Sequence, residues 1–344
     1  MSLTNINRQN KIDAGVLECW NRGVMFFPFL QNSNSPTPHL TESRLKRVFI
    51  FSFFLIIFLE GCLFAGAWTL PKKQLWLKSS IYYQNTSSRF CNGQDALAAS
   101  YNSVGCHNAG DSAPFDPFVE GESRALGAII EAYYGATGWL DFGVELPFYS
   151  LQFTNLANPD RPTSNNFGDI RFIGKLRFIE KPFIATLKAS AKAPTGEFTV
   201  DAEAVNLSEG QWDYEFFGEF AKSFWPLRLY VNLDVGYRIR TDNKNIEYTF
   251  GNEFLLLAEA GYNLSDKLMV KGTFDWLRGE RPTIKITGNQ LPWRRELLSI
   301  TPSFIYSPQR NLGLEAGIRF PIAGEDFPNG PVFTGGVTYQ FSLL

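Results

Sequence analysis

Acidic and basic residues recur along this chain at intervals of two and four. Asp213, Glu215 and Glu219 follow one another in this way, as do Asp169, Arg171 and Lys175, then Lys188 and Lys192, then Asp234, Arg238 and Arg240. Such sets could do three kinds of chemistry. Two carboxylates two residues apart, such as Asp213 and Glu215, could share a proton as an acid–base pair. Acids and bases that face each other could hold a wall together as ion pairs. Charged rows along a water-filled passage could screen solutes by sign and size. Nucleophilic hydrolysis is poorly supplied, because it needs a base beside a nucleophile and His107 is the only histidine after residue 67.

What must position these residues is a set of strands, since a two-residue step returns a side chain to the same face of a strand. Residues 228–240 read Leu229, Val231, Leu233, Val235, Tyr237 and Ile239 on one face, with Arg228, Tyr230, Asn232, Asp234, Gly236, Arg238 and Arg240 on the other. The same alternation recurs over 74–83, 123–134, 139–152, 168–178, 183–193, 211–223, 248–262, 267–278, 294–306, 312–322 and 332–342. Short gaps rich in Gly, Pro, Asn, Asp and Ser (135–138, 179–182, 224–227, 263–266, 307–311) alternate with long ones (84–122, 153–167, 194–210, 241–247, 279–293, 323–331). That rhythm predicts an all-β fold, a transmembrane antiparallel β-barrel of about 12 strands with short periplasmic turns and long external loops. A water-soluble sandwich would leave the uniformly apolar faces unexplained. The last strand ends in aromatic residues, Tyr339 and Phe341, the kind of terminal signal that the barrel insertion machinery reads.

The amino end predicts export. Arg44, Lys46 and Arg47 form a basic region, 48–59 is apolar, and Ala65-Gly-Ala67 is a small-residue cleavage pattern. Residues 1–67 therefore read as a leader with a cleavable signal peptide, cut after Ala67, and 68–344 as a single outer-membrane barrel of a Gram-negative cell. Cys62 in Leu59-Glu-Gly-Cys62 is a competing lipidation site. Without the leader's six basic and four acidic residues, 26 basic and 30 acidic residues remain, a balance that offers nothing to nucleic acid. Aromatic residues make up 15% of the chain, which suits lipid-facing and girdle positions. Cys91 and Cys106 share the first long loop and predict a disulfide worth about 3 kcal/mol; with His107 they are too few for a metal site.

Projecting the alternation places Glu131, Asp141, Glu145, Asp169, Arg171, Lys175, Lys188, Asp213, Glu215, Glu219, Asp234, Arg238, Glu253, Glu315 and Arg319 on the lumen face. Strands four and five are basic, while two, three and six are acidic. Two readings follow. Either the charged walls line a pore for small solutes, or they pair and hold a narrow, non-conducting barrel that acts through its external loops. Only 68–73 precede the first strand, which predicts no hatch; a constriction would have to come from the first loop, through Phe115, Pro117 and Phe118. Loop 279–293 and its flanks, with Arg278, Arg281, Lys285, Arg294 and Arg295, form the most basic stretch, suited to lipopolysaccharide phosphates. Neither transport nor structure calls for a cofactor.

Three stretches carry a family resemblance. Asn166-Phe-Gly-Asp-Ile-Arg-Phe172 with Lys175-Leu-Arg-Phe178, then Lys188-Ala-Ser-Ala-Lys-Ala-Pro-Thr-Gly196, then Gly210-Gln-Trp-Asp-Tyr214 with Lys222-Ser-Phe224. Together they resemble the outer-membrane transporter family associated with the meta-cleavage pathway of phenol degradation. The resemblance is clearest over 166–240 and implies a barrel that passes hydrophobic or aromatic compounds. The heavily charged lumen face is a departure from what an exclusively apolar cargo would need.

Overall fold

A computed structural model describes residues 66–90, 122–154, 162–199 and 205–343. The leader up to Ala65, the cysteine pair Cys91 and Cys106, and most of the first long loop lie outside the described residues. No described helix is long and apolar enough to cross a membrane; the chain is built from strands.

Twelve long strands form the wall: β1 Gln74–Thr86, β2 Glu122–Gly135, β3 Leu140–Thr154, β4 Arg171–Ile179, β5 Ile184–Lys192, β6 Asp213–Ser223, β7 Leu229–Arg240, β8 Glu253–Asn263, β9 Leu268–Gly279, β10 Glu296–Gln309, β11 Leu312–Glu325 and β12 Val332–Ser342. Each pairs antiparallel with its sequence neighbours, and β1 also pairs with β12 from Gln74↔Ser342 to Gln84↔Val332. The sheet is thereby a closed 12-strand antiparallel barrel, which leaves no edge strand unpaired.

Burial runs opposite to that of a soluble protein. Outward positions such as Phe172, Phe178, Phe216, Leu233, Ile239, Phe304 and Phe333 are exposed, while Asp213, Glu215, Glu219, Asn232, Asp234, Arg240 and Glu253 are buried. An apolar outer surface is stable only against lipid, and it is what the dyad pattern of 228–240 predicts. Trp139, Phe183 and Trp225 stand exposed in or beside the short turns, where an aromatic girdle suits the membrane boundary, with apolar Leu227 beside them.

The short turns close as predicted: Ala136 N donates to Leu140 O, Phe224 N to Leu229 O, and Ser265 N to Leu268 O. Several strand ends move. Gly168, Asp169 and Ile170 precede β4 instead of belonging to it, because Gly168 N bonds Pro147 O and the Ile170 carbonyl accepts from Ala193 N as the chain turns in from the loop. Tyr248 and Thr249 pair with Ile284 and Thr283 in a small external hairpin, so β8 starts at Glu253. β10 and β11 run on to a tighter turn, with a register shift between Tyr306 and Gln309.

Candidate functional site

The lumen face carries one row of charge that the register makes explicit. Lys78, Glu131, Glu145, Arg171, Lys192, Asp213 and Arg240 stand directly opposite one another on successive strands β1 to β7. Along this row Glu145 meets Arg171 at 3.8 Å, Lys192 meets Asp213 at 2.7 Å and Asp213 meets Arg240 at 3.6 Å, while Lys78 turns from Glu131 to Glu315. Further bridges skip a strand, as only the concave side of a wall allows. Arg171 reaches Glu215 at 3.4 Å and Lys175 reaches Glu219 at 3.1 Å, both from β4 to β6. Lys188 also binds Glu219, at 2.7 Å. The basic and acidic strands predicted from sequence are thus partners.

Toward the long-loop end the network tightens around Glu253, whose side chain is 1% exposed. Its carboxylate accepts from Arg238, Arg240 and Arg295, while Arg238 Nε also binds Glu215 at 2.6 Å. Asp169, although ahead of its strand, faces inward: it binds Lys192 at 3.3 Å and accepts from Gly196 N. On the far wall Glu315 joins Lys78 and Lys271, Lys271 joins Glu259, and Arg319 meets Asp275. Asp141 and Asp234 take no ion-pair partner among the described residues; Asp141 instead accepts from Leu70 N at 2.9 Å. Among these residues no group of His, Cys, Asp and Glu is arranged to hold a metal ion.

Three features were not foreseen. The first is the segment 66–70, which lies inside the barrel at the short-turn end. Ala67 N donates to Asn232 Oδ1 at 3.0 Å, and the Ala67 carbonyl accepts from Thr186. Lys175 Nζ donates to the carbonyls of Gly66 and Trp68, Thr69 Oγ1 donates to Gly138 O, and Trp68 packs edge-on against Tyr230 at 5.9 Å. The reading that 68–73 are too few to form a hatch did not anticipate that the residues just ahead of β1 enter the lumen. A short backbone segment needs no bulk of its own when four strands and a turn supply its hydrogen-bond partners.

The second is Glu209, in the loop between β5 and β6. It reaches into the long-loop mouth and binds Lys192 at 3.2 Å, Arg295 at 2.8 Å and Arg240. Partial burial pushes its carboxyl up, but Arg295, Arg240 and Lys192 outweigh that and hold it well below the usual carboxylate range. A depressed folded pKa stabilises the closed loop fully above the unfolded value of 4.5, and that stability is lost as pH falls through the lower folded value. The difference in urea midpoint between the parent and Glu209→Gln should therefore stay constant from neutral pH to about 4.5 and shrink below it. A difference that is already zero at neutral pH would remove the latch. The basic stretch around 279–293 is also largely spoken for, since Arg278, Arg294 and Lys285 pair with Glu296, Glu325 and Asp242.

The third is aromatic. Trp76, Tyr82, Tyr133, Tyr149, Phe217 and Tyr230 share strand parity with the charged residues, so their rings face the lumen. Tyr82 lies flat across Gly127 on the next strand, where any Cβ would overlap the ring. Trp76 and Tyr133 meet edge-on at 5.6 Å. The parity was legible, but the charged residues drew the reading.

Among solved structures the chain resembles the COG4313 outer membrane channel from Pseudomonas putida F1, with a TM-score of 0.65, 16% identity, and 82% of this chain and 100% of that one covered. At that identity the likeness speaks to the fold. The CymD monoaromatic hydrocarbon channel is a more distant match, with a TM-score of 0.41 and 8% identity over 80% of this chain and 89% of that one. No curated protein matches. The family described as "Putative MetA-pathway of phenol degradation" matches residues 122–331, from the first residue of β2 to the last loop, and the chain belongs to that family.

Proposed function

We propose that this protein is an outer-membrane channel for the passive or facilitated diffusion of small solutes, with aromatic compounds among its cargo. The observation that carries the reading is a polar interior inside an apolar wall: carboxylates, guanidiniums and Tyr rings face inward from strand after strand. The charged rows screen by sign, and the Trp76, Tyr82, Tyr133 and Tyr149 side offers rings for a planar solute to slide against. Diffusion down a gradient needs neither cofactor nor covalent step. The leader supports export, the apolar belt supports residence in outer-membrane lipid, and the exposed long loops suit contact with lipopolysaccharide. Arg171, Lys188, Glu215, Glu219, Asp234 and Arg238 are the residues we place along the permeation path.

The rival reading is a salt-bridged barrel that does not conduct and acts through its external loops. It draws on the pairing of Arg171, Lys175, Lys188, Lys192, Arg238 and Arg240 with buried acids. Single-channel recording on the refolded chain in a planar bilayer, with and without phenol, separates the two. Discrete steps that phenol interrupts support the channel; a folded barrel that never conducts supports the rival. Replacing Arg171 and Arg238 with Ala removes two lumen cations and should shift ion selectivity toward cations. Unchanged selectivity places both residues off the path.

A further inference from the structure

We propose that the exported chain begins at Gly66 and that its α-ammonium lies inside the barrel as the cation for Asp234. Processing then hydrolyses the Ala65–Gly66 peptide bond, two residues ahead of the cut that the Ala65-Gly-Ala67 pattern predicts. Water supplies the hydroxyl of the new Ala65 carboxylate, and the Gly66 nitrogen leaves as the amine and takes up a proton. Ala65 supplies the small residue immediately before such a cut, with Leu63 standing where the A-x-A pattern has its first small residue.

Gly66 and Ala67 have a built place. Ala67 is 0% exposed, its N–H donates to Asn232 Oδ1 at 3.0 Å, and its carbonyl accepts from Thr186, itself fully buried. The Gly66 carbonyl accepts from Lys175 Nζ. A cut after Ala67 would strip these partners from Thr186, Asn232 and Lys175, and an orphaned buried polar group costs on the order of 1–3 kcal/mol. Gly66 lies so close to the Asn232 carboxamide that no Cβ fits. A residue pressed this closely against a lumen side chain, with room only for glycine, belongs to a folded position.

Asp234 supplies the second, independent observation. It is 6% exposed and accepts from Asn232 Nδ2 at 2.8 Å, yet no cation among the described residues is within ion-pair reach. Lys175 and Lys188, the nearest bases, are both bound to Glu219. A buried carboxylate is tolerated when a cation accompanies it. Asn232 contacts Gly66 on one side and donates to Asp234 on the other, so the ammonium freed at Gly66 arises beside a buried acid that has no cation within ion-pair reach among the described residues.

Two readouts on the full-length gene product, purified from the outer membrane of expressing cells, test this, and neither requires the barrel to conduct. Intact mass with amino-terminal sequencing should give Gly66 as the first residue. A chain beginning at Trp68, or at a lipidated Cys62, overturns the proposal. Acetic anhydride at neutral pH, read by peptide mass spectrometry, should label the terminal amine of the folded barrel at least tenfold more slowly than exposed Lys72. Urea unfolding should abolish that difference, and Asp234→Asn should shrink it in the folded state. A terminal amine that reacts as fast as Lys72 in the folded parent places it outside the lumen and overturns the pairing.

Discussion

A barrel refolded from Pro71 onward should conduct in steps several times larger than one refolded from Gly66. The difference isolates the segment 66–70, because the wall is left intact: Lys73 N still donates to Gly135 O, Gln74 N to Pro71 O, and the β1–β12 ladder starts at Gln74. What leaves is a stretch of backbone crossing the short-turn end of the lumen, held by side chains from β3, β4, β5 and β7. Its balance explains why it could move. Ordering five residues costs roughly 1–2 kcal/mol each. Six hydrogen bonds to Asn232, Asp141, Gly138, Thr186 and Lys175 return roughly 0.5–1.5 kcal/mol each, more where Lys175 or Asp141 carries charge. Sums of that size nearly cancel, so the segment is poised to leave at modest cost. The parent should accordingly flicker between a small and a large step, and the shortened barrel should show only the large one. Equal conductance in both would place the constriction elsewhere, with the Glu209 latch at the other mouth as the next candidate. A barrel lacking the segment that still never conducts would count against the channel reading itself.

The wall of this protein was legible from sequence because one physical rule governs it everywhere. Each strand has a lipid side and a lumen side, so residues 228–240 announce both faces, and all twelve strands followed from the same period. Strand ends were less legible. Tyr248 and Thr249 alternate like the strand they precede, but they pair with Ile284 and Thr283, and no local pattern records a partner so far along the chain. The lumen's charges were legible as types and not as pairs. Lys175 meets Glu219 across an intervening strand, a contact set by barrel curvature and register. The segment 66–70 was invisible for a different reason: its place is fixed by its own amides and carbonyls meeting Asn232, Thr186, Lys175 and Asp141, and backbone groups carry no sequence signal. Glu209 is the intermediate case. Its charge is plain, but only the fold of its loop brings it to Lys192, Arg240 and Arg295.

Replacing Glu253 with Ala should be the most destabilising single change in the charged network, by about 3–5 kcal/mol. Glu253 is the common anion of three guanidiniums: Arg240 Nη1 and Arg295 Nη1 each lie 3.2 Å from one oxygen, and Arg238 binds the other. Arg240, itself 1% exposed, keeps only Glu209 and a 3.6 Å approach to Asp213 once Glu253 is gone. The loss is therefore not that of one bridge. Two cations, buried Arg240 and half-buried Arg238, lose an anion at once, and three like charges are left crowded at the mouth. Glu253→Gln, which keeps an acceptor oxygen but not the charge, should fall between the parent and Ala. Removing a cation as well should restore part of the loss, so Glu253→Ala with Arg240→Met should be more stable than the sum of the two single changes. Urea midpoints of the four refolded barrels give the coupling directly. The same substitution has a functional reading that stability alone does not produce: uncompensated arginines at the mouth should shift the residual current toward anions. If Glu253→Ala unfolds within about 1 kcal/mol of the parent, the loss lies within the range of an exposed pair. The three arginines would then already be reached by water, and the long-loop mouth would be an open, hydrated vestibule instead of a desolvated clamp.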